Sequence, residues 1–210
     1  MSGYTKVDRL DDEKHAKLLL RMKRTKSNRF NYSKRLARKA TVKSLSVNFL
    51  SLLCIFASIY LLASPPDAAG AVGVYVSILV TTASVVSLML SVENPVSELM
   101  KRSQQAHQCA RDISGLYGKF QAGAIEYKDA RNDYESILNA YDDNHDECDN
   151  WKTLFENAKD FPGDADGIGW IRGWVLYLIS CYSPAIYTIV CVIAILLTWR
   201  IPPLIKGYFF

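Results

Sequence analysis

The chain has 210 residues, half of them hydrophobic, and a formal net charge of +4. These averages would suit one soluble domain, but the hydrophobic residues are concentrated in three uncharged runs, at 45–63, 68–92 and 175–199. Each run exceeds the roughly 18 apolar residues that identify a candidate membrane span. The sequence therefore argues against a soluble domain and predicts an all-α membrane protein.

Residues 1–44 form a basic segment that we predict to be a cytoplasmic helix. It contains fourteen Lys or Arg residues, and its four acidic residues all precede the basic block at 14–43. Positive residues beside a membrane helix stay on the cytoplasmic side, so we predict a cytoplasmic amino terminus. Contact with anionic lipid headgroups is the favoured role of the block. Nucleic-acid contact stays open, although no aromatic interleaving or glycine-rich loop supports it.

Residues 45–92, which contain the first two apolar runs, predict a transmembrane hairpin. Pro65 and Pro66 cannot continue a helix, and Asp67 can cap the next one. The second run carries small hydroxyl residues at helical spacing, namely Ser77, Thr81, Ser84, Ser87 and Ser91. Such residues allow membrane helices to pack closely, and they can equally line a pore after oligomerisation. Both interpretations stay open.

Residues 93–172 predict a cytoplasmic antiparallel helical hairpin. After Pro95, a seven-residue repeat predicts one helix that ends in a turn near 121–124. The apolar positions of this helix are Leu99, Ala106, Cys109, Ile113, Leu116 and Phe120. A second heptad pattern, from Tyr127 to Phe155, predicts a continuous coiled-coil-like helix over 125–158. This pattern places Asn144 at an inner position and leaves the neighbouring acidic residues on a solvated face.

The third apolar run, 175–199, predicts a third transmembrane helix, which is followed by a tail at 200–210. Pro184 lies in its first half, and membrane helices tolerate proline where neighbours satisfy the freed carbonyl. Aromatic residues flank the run on both sides, as they do at membrane interfaces. A re-entrant or surface-lying segment stays open as an alternative.

The sequence offers little that points to catalysis. Five cysteines and three histidines show no zinc-like spacing. Asn144-His145-Asp146, followed by Asp149, is the one dense polar group, and no nucleophile is evident beside it. We therefore predict a protein that is not an enzyme and that needs no metal or cofactor.

The order of these parts resembles the SLATT family, whose name stands for SMODS and SLOG-associating two-transmembrane effector domains. The basic helix, the paired apolar runs and the helical segment that follows them all match. The most specific resemblance lies in Tyr134-Glu135-Ser136-Ile137-Leu138, in Asp143-Asn144-His145-Asp146 and in Asp149. Asp143 stands where the family pattern has glutamate. The resemblance covers about residues 10–160.

The resemblance implies a function in bacterial antiphage conflict, as a pore former that disrupts the inner membrane. It implies a coupling or assembly role for Tyr134, Ile137, Leu138, Asn144, His145 and Asp149. It also implies homo-oligomers and, as a trigger, a nucleotide second messenger. One subgroup has an extra carboxy-terminal membrane segment and is encoded beside reverse transcriptases, which the third run fits.

Three functional hypotheses follow from the sequence. The first is a defence effector that stays inactive until a cytosolic signal reorganises its helical hairpin and several copies assemble a pore. The second is a non-conducting membrane scaffold that recruits a partner through the same hairpin. An enzyme that acts on lipid or nucleotide is the third and least supported. Leakage on overexpression separates the first hypothesis from the second.

Overall fold

The computed structural model describes residues 6–63, 70–93, 95–141, 143–161 and 167–209, and this part of the chain is helical without strands. The all-α prediction is thus confirmed. The six helices are α1 (Lys6–Ala63), α2 (Gly70–Val92), α3 (Val96–Gln121), α4 (Tyr127–Asn139), α5 (Glu147–Glu156) and α6 (Gly167–Phe209).

Three of the helices, α1, α2 and α6, are long and apolar enough to cross a membrane. Large apolar side chains on each are exposed, including Phe56 of α1, Leu88 of α2 and Val190 of α6. Exposed apolar surface of this kind is stable in lipid rather than in water. The chain is therefore a membrane protein. The predicted connection through Pro65, Pro66 and Asp67 lies outside the described residues.

The chain divides into two compact units. The first unit comprises residues 1–37 and 100–179, and the second comprises residues 38–99 and 180–210. The amino-terminal part of α1 therefore belongs to the same unit as most of α3, all of α4 and α5, and the start of α6.

The core of the first unit joins α1, α3 and α4. Its buried members are Leu18, Met22, Cys109, Ile113, Leu116, Phe120, Ala130 and Tyr134. Each α3 member belongs to the predicted apolar stripe, so that prediction is confirmed. Ser33 of α1 and Ser103 of α3 are also buried, and Ser103 Oγ donates to the Ser33 carbonyl oxygen at 2.9 Å.

After α3, the chain turns and runs back along that helix. Gly123 has a φ of +72°, a conformation that glycine adopts without steric cost. Beyond the turn, the rings of Phe120 and Tyr127 lie 6.5 Å apart, and the Tyr141 hydroxyl donates to Asp112 Oδ2 at 2.7 Å. Later residues thus contact earlier ones, which is the order of an antiparallel pair.

The predicted continuous helix over 125–158 is wrong, because α4 ends at Asn139 and α5 begins at Glu147. Asn144 lies in the connection and is exposed, so it does not occupy an inner position. The Asp149 carboxylate accepts the backbone N–H of Asp146 at 3.1 Å, which caps the start of a new helix. Asp149 is also fully buried, so the predicted solvated face is wrong at that residue.

The second unit is built around close contact between α1 and α2. Leu50, Ala83 and Leu90 form its buried core, with Val47 and Val86 packed against them. Ala83 is fully buried, and such a small residue lets two membrane helices approach closely.

Candidate functional site

Polar residues of α1 meet α5 and the residues that precede α5 in a buried group, which we call the α1–α5 cluster. Its members are Asn28, Asn31, Arg35, His145, Asp149, Asn150 and Thr153. Asn28, Asn31 and Arg35 recur at i, i+3 and i+7, so they share one face of α1. The sequence of α1 thus presents a polar stripe toward α5.

Arg35 and Asp149 form the most deeply buried ion pair of the cluster. Arg35 Nε and Nη2 each lie 2.9 Å from one Asp149 carboxylate oxygen, which is the bidentate arrangement. Arg35 is 4% exposed and Asp149 is 0% exposed. Burial alone would lower the pKa of Arg35, but the hydrogen bonds and charge of Asp149 raise it. Arg35 Nη2 also contacts Asp146 Oδ2, so one guanidinium holds both carboxylates.

Asn28 connects α1 to His145 and Asn150. Its side-chain Nδ2 lies 2.9 Å from His145 Nε2 and 3.2 Å from Asn150 Oδ1. An amide nitrogen can only donate, so His145 Nε2 is the acceptor. Burial, together with the positive charge of Arg29, lowers the pKa of His145. The imidazole is therefore neutral at physiological pH.

Asn31 holds the carboxyl-terminal part of α5. Its Nδ2 donates to Thr153 Oγ1 at 3.0 Å and to Glu156 Oε2 at 3.1 Å. Asn31 and Thr153 are both buried, so the two side chains satisfy each other in place of water.

Tyr134 of α4 also reaches α1. Its hydroxyl lies 2.7 Å from Thr25 Oγ1, and the ring is 1% exposed. The Arg21 guanidinium carbon lies 5.4 Å from the ring centroid, within the range of a cation–π contact. Tyr134 is therefore both a core residue and a polar link to α1.

The structure brings three residues of the family motif onto α1, namely Tyr134, His145 and Asp149. Ile137 and Leu138 are half-buried and pack against the core of the first unit. The exposed Asn144 makes a local contact instead, in which its Oδ1 accepts the backbone N–H of His145 at 2.9 Å. A coupling or assembly role for these six residues stays a prediction.

Sequence reasoning missed the α1 half of this cluster. The sequence predicts that the basic block contacts anionic lipid headgroups, but Asn28, Arg29 and Arg35 are each less than 5% exposed. The available signal was the i, i+3, i+7 spacing of Asn28, Asn31 and Arg35 within a charged helix. At least this part of the block therefore serves the interior of the first unit.

Asp146, Cys148 and Asp149 place three potential metal-ligand atoms within 4.8 Å of one another. Arg35 already donates to both carboxylates, so it supplies the positive charge that a cation would bring. Burial and the Asp149 charge raise the pKa of Cys148 to about 11, so its thiol stays protonated near neutral pH. The group is therefore suited to a structural ion pair and not to nucleophilic chemistry.

The predicted hydroxyl stripe lies on α2 in the second unit. Ser77, Thr81, Ser84 and Ser91 are exposed and Ser87 is half-buried. Ser77 Oγ and Thr81 Oγ1 each donate to a backbone carbonyl one turn earlier at 2.9 Å. A groove of about 610 Å³ runs beside them and is lined by residues such as Leu61, Gly73 and Ile78.

Comparison with known families decides the identity of the chain. Residues 11–199 match the model of SMODS and SLOG-associating 2TM effector domain family 5. The chain belongs to the SLATT family. The SLATT match extends beyond the motif-bearing region through the third membrane-length helix, and it includes both halves of the α1–α5 cluster. No curated protein and no solved structure matches this SLATT chain.

Proposed function

We propose that this SLATT protein is an effector of a bacterial antiphage conflict system that assembles into a pore in the inner membrane when a partner triggers it. Family membership supports an effector in general. The observation that carries the pore is the exposed hydroxyl face of α2, because this face lies on a helix long and apolar enough to span a bilayer.

Ser77 and Thr81 donate to their own helix, so a single copy satisfies these hydroxyls without water. Their small size and the neighbouring groove of about 610 Å³ leave room for a helix of a second copy. Membrane helices associate through small residues because lipid gives no hydrophobic drive for association. In an oligomer, the same hydroxyls can rotate toward water and line a narrow conducting path.

The basic amino-terminal segment supports a cytoplasmic amino terminus by the positive-inside rule. After the two spans of a hairpin, α3 to α5 then lie on the cytoplasmic side as well. The first unit is thereby accessible to a cytosolic trigger. Resemblance to the family supports a nucleotide second messenger or a reverse-transcriptase-type partner in this role. This function requires no chemical step at the α1–α5 cluster.

The test measures membrane potential and dye entry in bacterial cells that express the full chain. Thr81→Leu, which fills the groove, should abolish depolarisation at equal membrane abundance. Ser58→Leu is the matched control, because Ser58 is also exposed and also donates to its own helix, but on α1. Depolarisation by all three proteins would contradict a pore built from the α2 face.

If the intact chain alone causes no depolarisation, the assay is repeated with the neighbouring genes and phage challenge. Depolarisation only under challenge would support a triggered pore. Continued silence, together with recruitment of a partner, would favour the non-conducting scaffold.

A further inference from the structure

A cleft of about 430 Å³ opens beside the α1–α5 cluster, within the first unit. This volume is within the range of about 300–1,000 Å³ that small-molecule sites occupy. The lining includes Arg21, Arg24, Asn28, His145, Asp146 and Glu147. Cationic and amide side chains thus converge on one concave surface.

Two lining residues carry buried polar atoms that lack a hydrogen-bond partner among the described residues. Asn28 is 2% exposed, and its Oδ1 has no partner. His145 Nε2 accepts from Asn28, so the neutral ring carries its proton on Nδ1, which is also buried without a partner. Native proteins rarely leave buried polar groups unpaired, so each of these atoms is a candidate contact for a bound ligand.

The charge beside the cleft is positive and incompletely balanced. Arg29 follows Asn28 on α1 and is 4% exposed, yet its Nε and Nη1 have no partner within the described part of the chain. Arg21 makes no ion pair with a described carboxylate, and its guanidinium carbon lies 5.4 Å from the Tyr134 ring centroid. A buried or confined guanidinium is stable when an anion lies against it.

The acidic groups that face the cleft are already engaged. Asp146 is held by Arg35, and Glu147 Oε1 accepts the Trp151 indole N–H at 3.1 Å. Neither carboxylate forms an ion pair with Arg21 or Arg29 in the described part of the chain. The unsatisfied donors, on Arg29 and His145, outnumber the single unsatisfied acceptor on Asn28. A partner rich in acceptor oxygens matches this inventory.

We propose that this cleft binds a phosphate-bearing anion, with Arg21 and His145 Nδ1 donating to its oxygens. Asn28 Oδ1 accepts from a hydroxyl of the same ligand, and Arg29 supplies positive charge from behind. Guanidinium groups pair well with phosphate because their N–H groups match its oxygens in geometry. The phosphate belongs either to a soluble molecule or to a lipid headgroup. Binding of this anion does not require pore formation, so the two can be tested separately.

The first experiment uses the purified full chain in neutral detergent, with inorganic pyrophosphate as the probe and chloride at matched ionic strength as the reference. Pyrophosphate should raise the unfolding temperature of the intact chain. Arg21→Gln should weaken the apparent affinity at least about tenfold, because it removes a cation that lines the cleft. Arg131→Gln, on an exposed arginine of α4, should bind as the intact chain does.

A second readout keeps the test informative if Arg21→Gln alters stability. The chain has three histidines, so nitrogen NMR of the labelled imidazoles can follow each one. Pyrophosphate should shift the Nδ1 resonance of His145 and leave His15 and His107 in place. The proposal is overturned if millimolar pyrophosphate and anionic lipid both leave His145 and the unfolding temperature unchanged, or if Arg21→Gln binds as tightly as the intact chain.

The source of the phosphate is separated by nanodiscs of phosphatidylglycerol or phosphatidylcholine. A His145 shift with phosphatidylglycerol alone supports a lipid headgroup. A shift that requires added pyrophosphate in both lipids supports a soluble phosphate compound.

Discussion

Arg35 of α1 and Asp149 of α5 form a bidentate ion pair in which neither residue is more than 4% exposed. The pair joins residues 114 positions apart in the chain, so it fixes a long-range contact. Because both charges are out of water, each depends on the other.

Removal of one member of this pair should destabilise the first unit strongly. Arg35→Ala leaves Asp149 buried without its counter-ion, and such changes cost about 3–5 kcal/mol. Denaturant unfolding in detergent measures the loss. Arg131→Ala, which breaks an exposed pair with Glu135, should leave the free energy of unfolding almost unchanged. The double variant Arg35→Met with Asp149→Leu should recover much of the stability, because two apolar side chains leave no buried unpaired charge, and the Asp146 side chain is exposed to water.

Gly173 should not tolerate a side chain. A Cβ placed there would lie 2.3 Å from Trp151 Cβ, which is not the flexible end of that residue. Gly173→Ala should therefore cost about 1–3 kcal/mol through overpacking. Gly118→Ala is the matched helical control, because its Cβ would meet nothing within 4 Å. The control should gain up to about 1 kcal/mol from helix propensity. Equal effects of the two substitutions on the unfolding temperature would contradict the close packing of Gly173 on Trp151.

The stability of the first unit should fall as the pH drops below the ordinary histidine range. Burial and the Arg29 charge lower the pKa of His145 in the folded state, so the unfolded state binds more protons. The stability linked to neutral His145 is therefore present above about pH 6.5, the ordinary histidine pKa, and is lost progressively as the pH falls through the lowered pKa of the folded state. Unfolding temperatures across this range provide the measurement. His145→Gln should flatten the dependence, and His107→Gln, on an exposed histidine, should retain it.

The Tyr134–Thr25 contact should show coupling in a double-mutant cycle. Thr25→Val leaves the Tyr134 hydroxyl buried without this partner and should cost about 1–3 kcal/mol, whereas Tyr134→Phe should cost about 0.5–1.5 kcal/mol. The double variant should cost less than the sum of the two. Strict additivity of the three free energies would show that the 2.7 Å contact contributes no stability.

Sequence periodicity correctly predicted the buried face within a single helix. The stripe through Ile113 and Phe120 is read within one uninterrupted helix, and both residues are buried as expected. The heptad pattern wrongly predicted that the helix continues beyond Asn139, because residues on the two sides of a break can keep the same seven-residue spacing. Asp146 followed three residues later by Asp149 was the helix-start signal that should have ended the count.

The α1–α5 cluster could be predicted only in part. His145 and Asp149 stood out as polar residues within a motif, but their partners Asn28 and Arg35 lie more than 110 positions earlier. Periodicity predicts which face of a helix is buried, but it does not identify the helix that packs against that face. The sequence alone therefore does not distinguish a buried arginine in a basic segment from the exposed ones. The distinction requires the fold, which places a carboxylate beside the buried one.

The number of residues between α1 and α5 in the sequence also determines when the first unit can form during synthesis. Asn28 reaches His145 only after 117 further positions have been translated, and both α2 and α3 lie within that interval. The polar stripe of α1 therefore leaves the ribosome long before its partner helix exists. Contacts of such long range form late, so the polar stripe stays hydrated while the apolar segments that follow it are already being inserted into the bilayer.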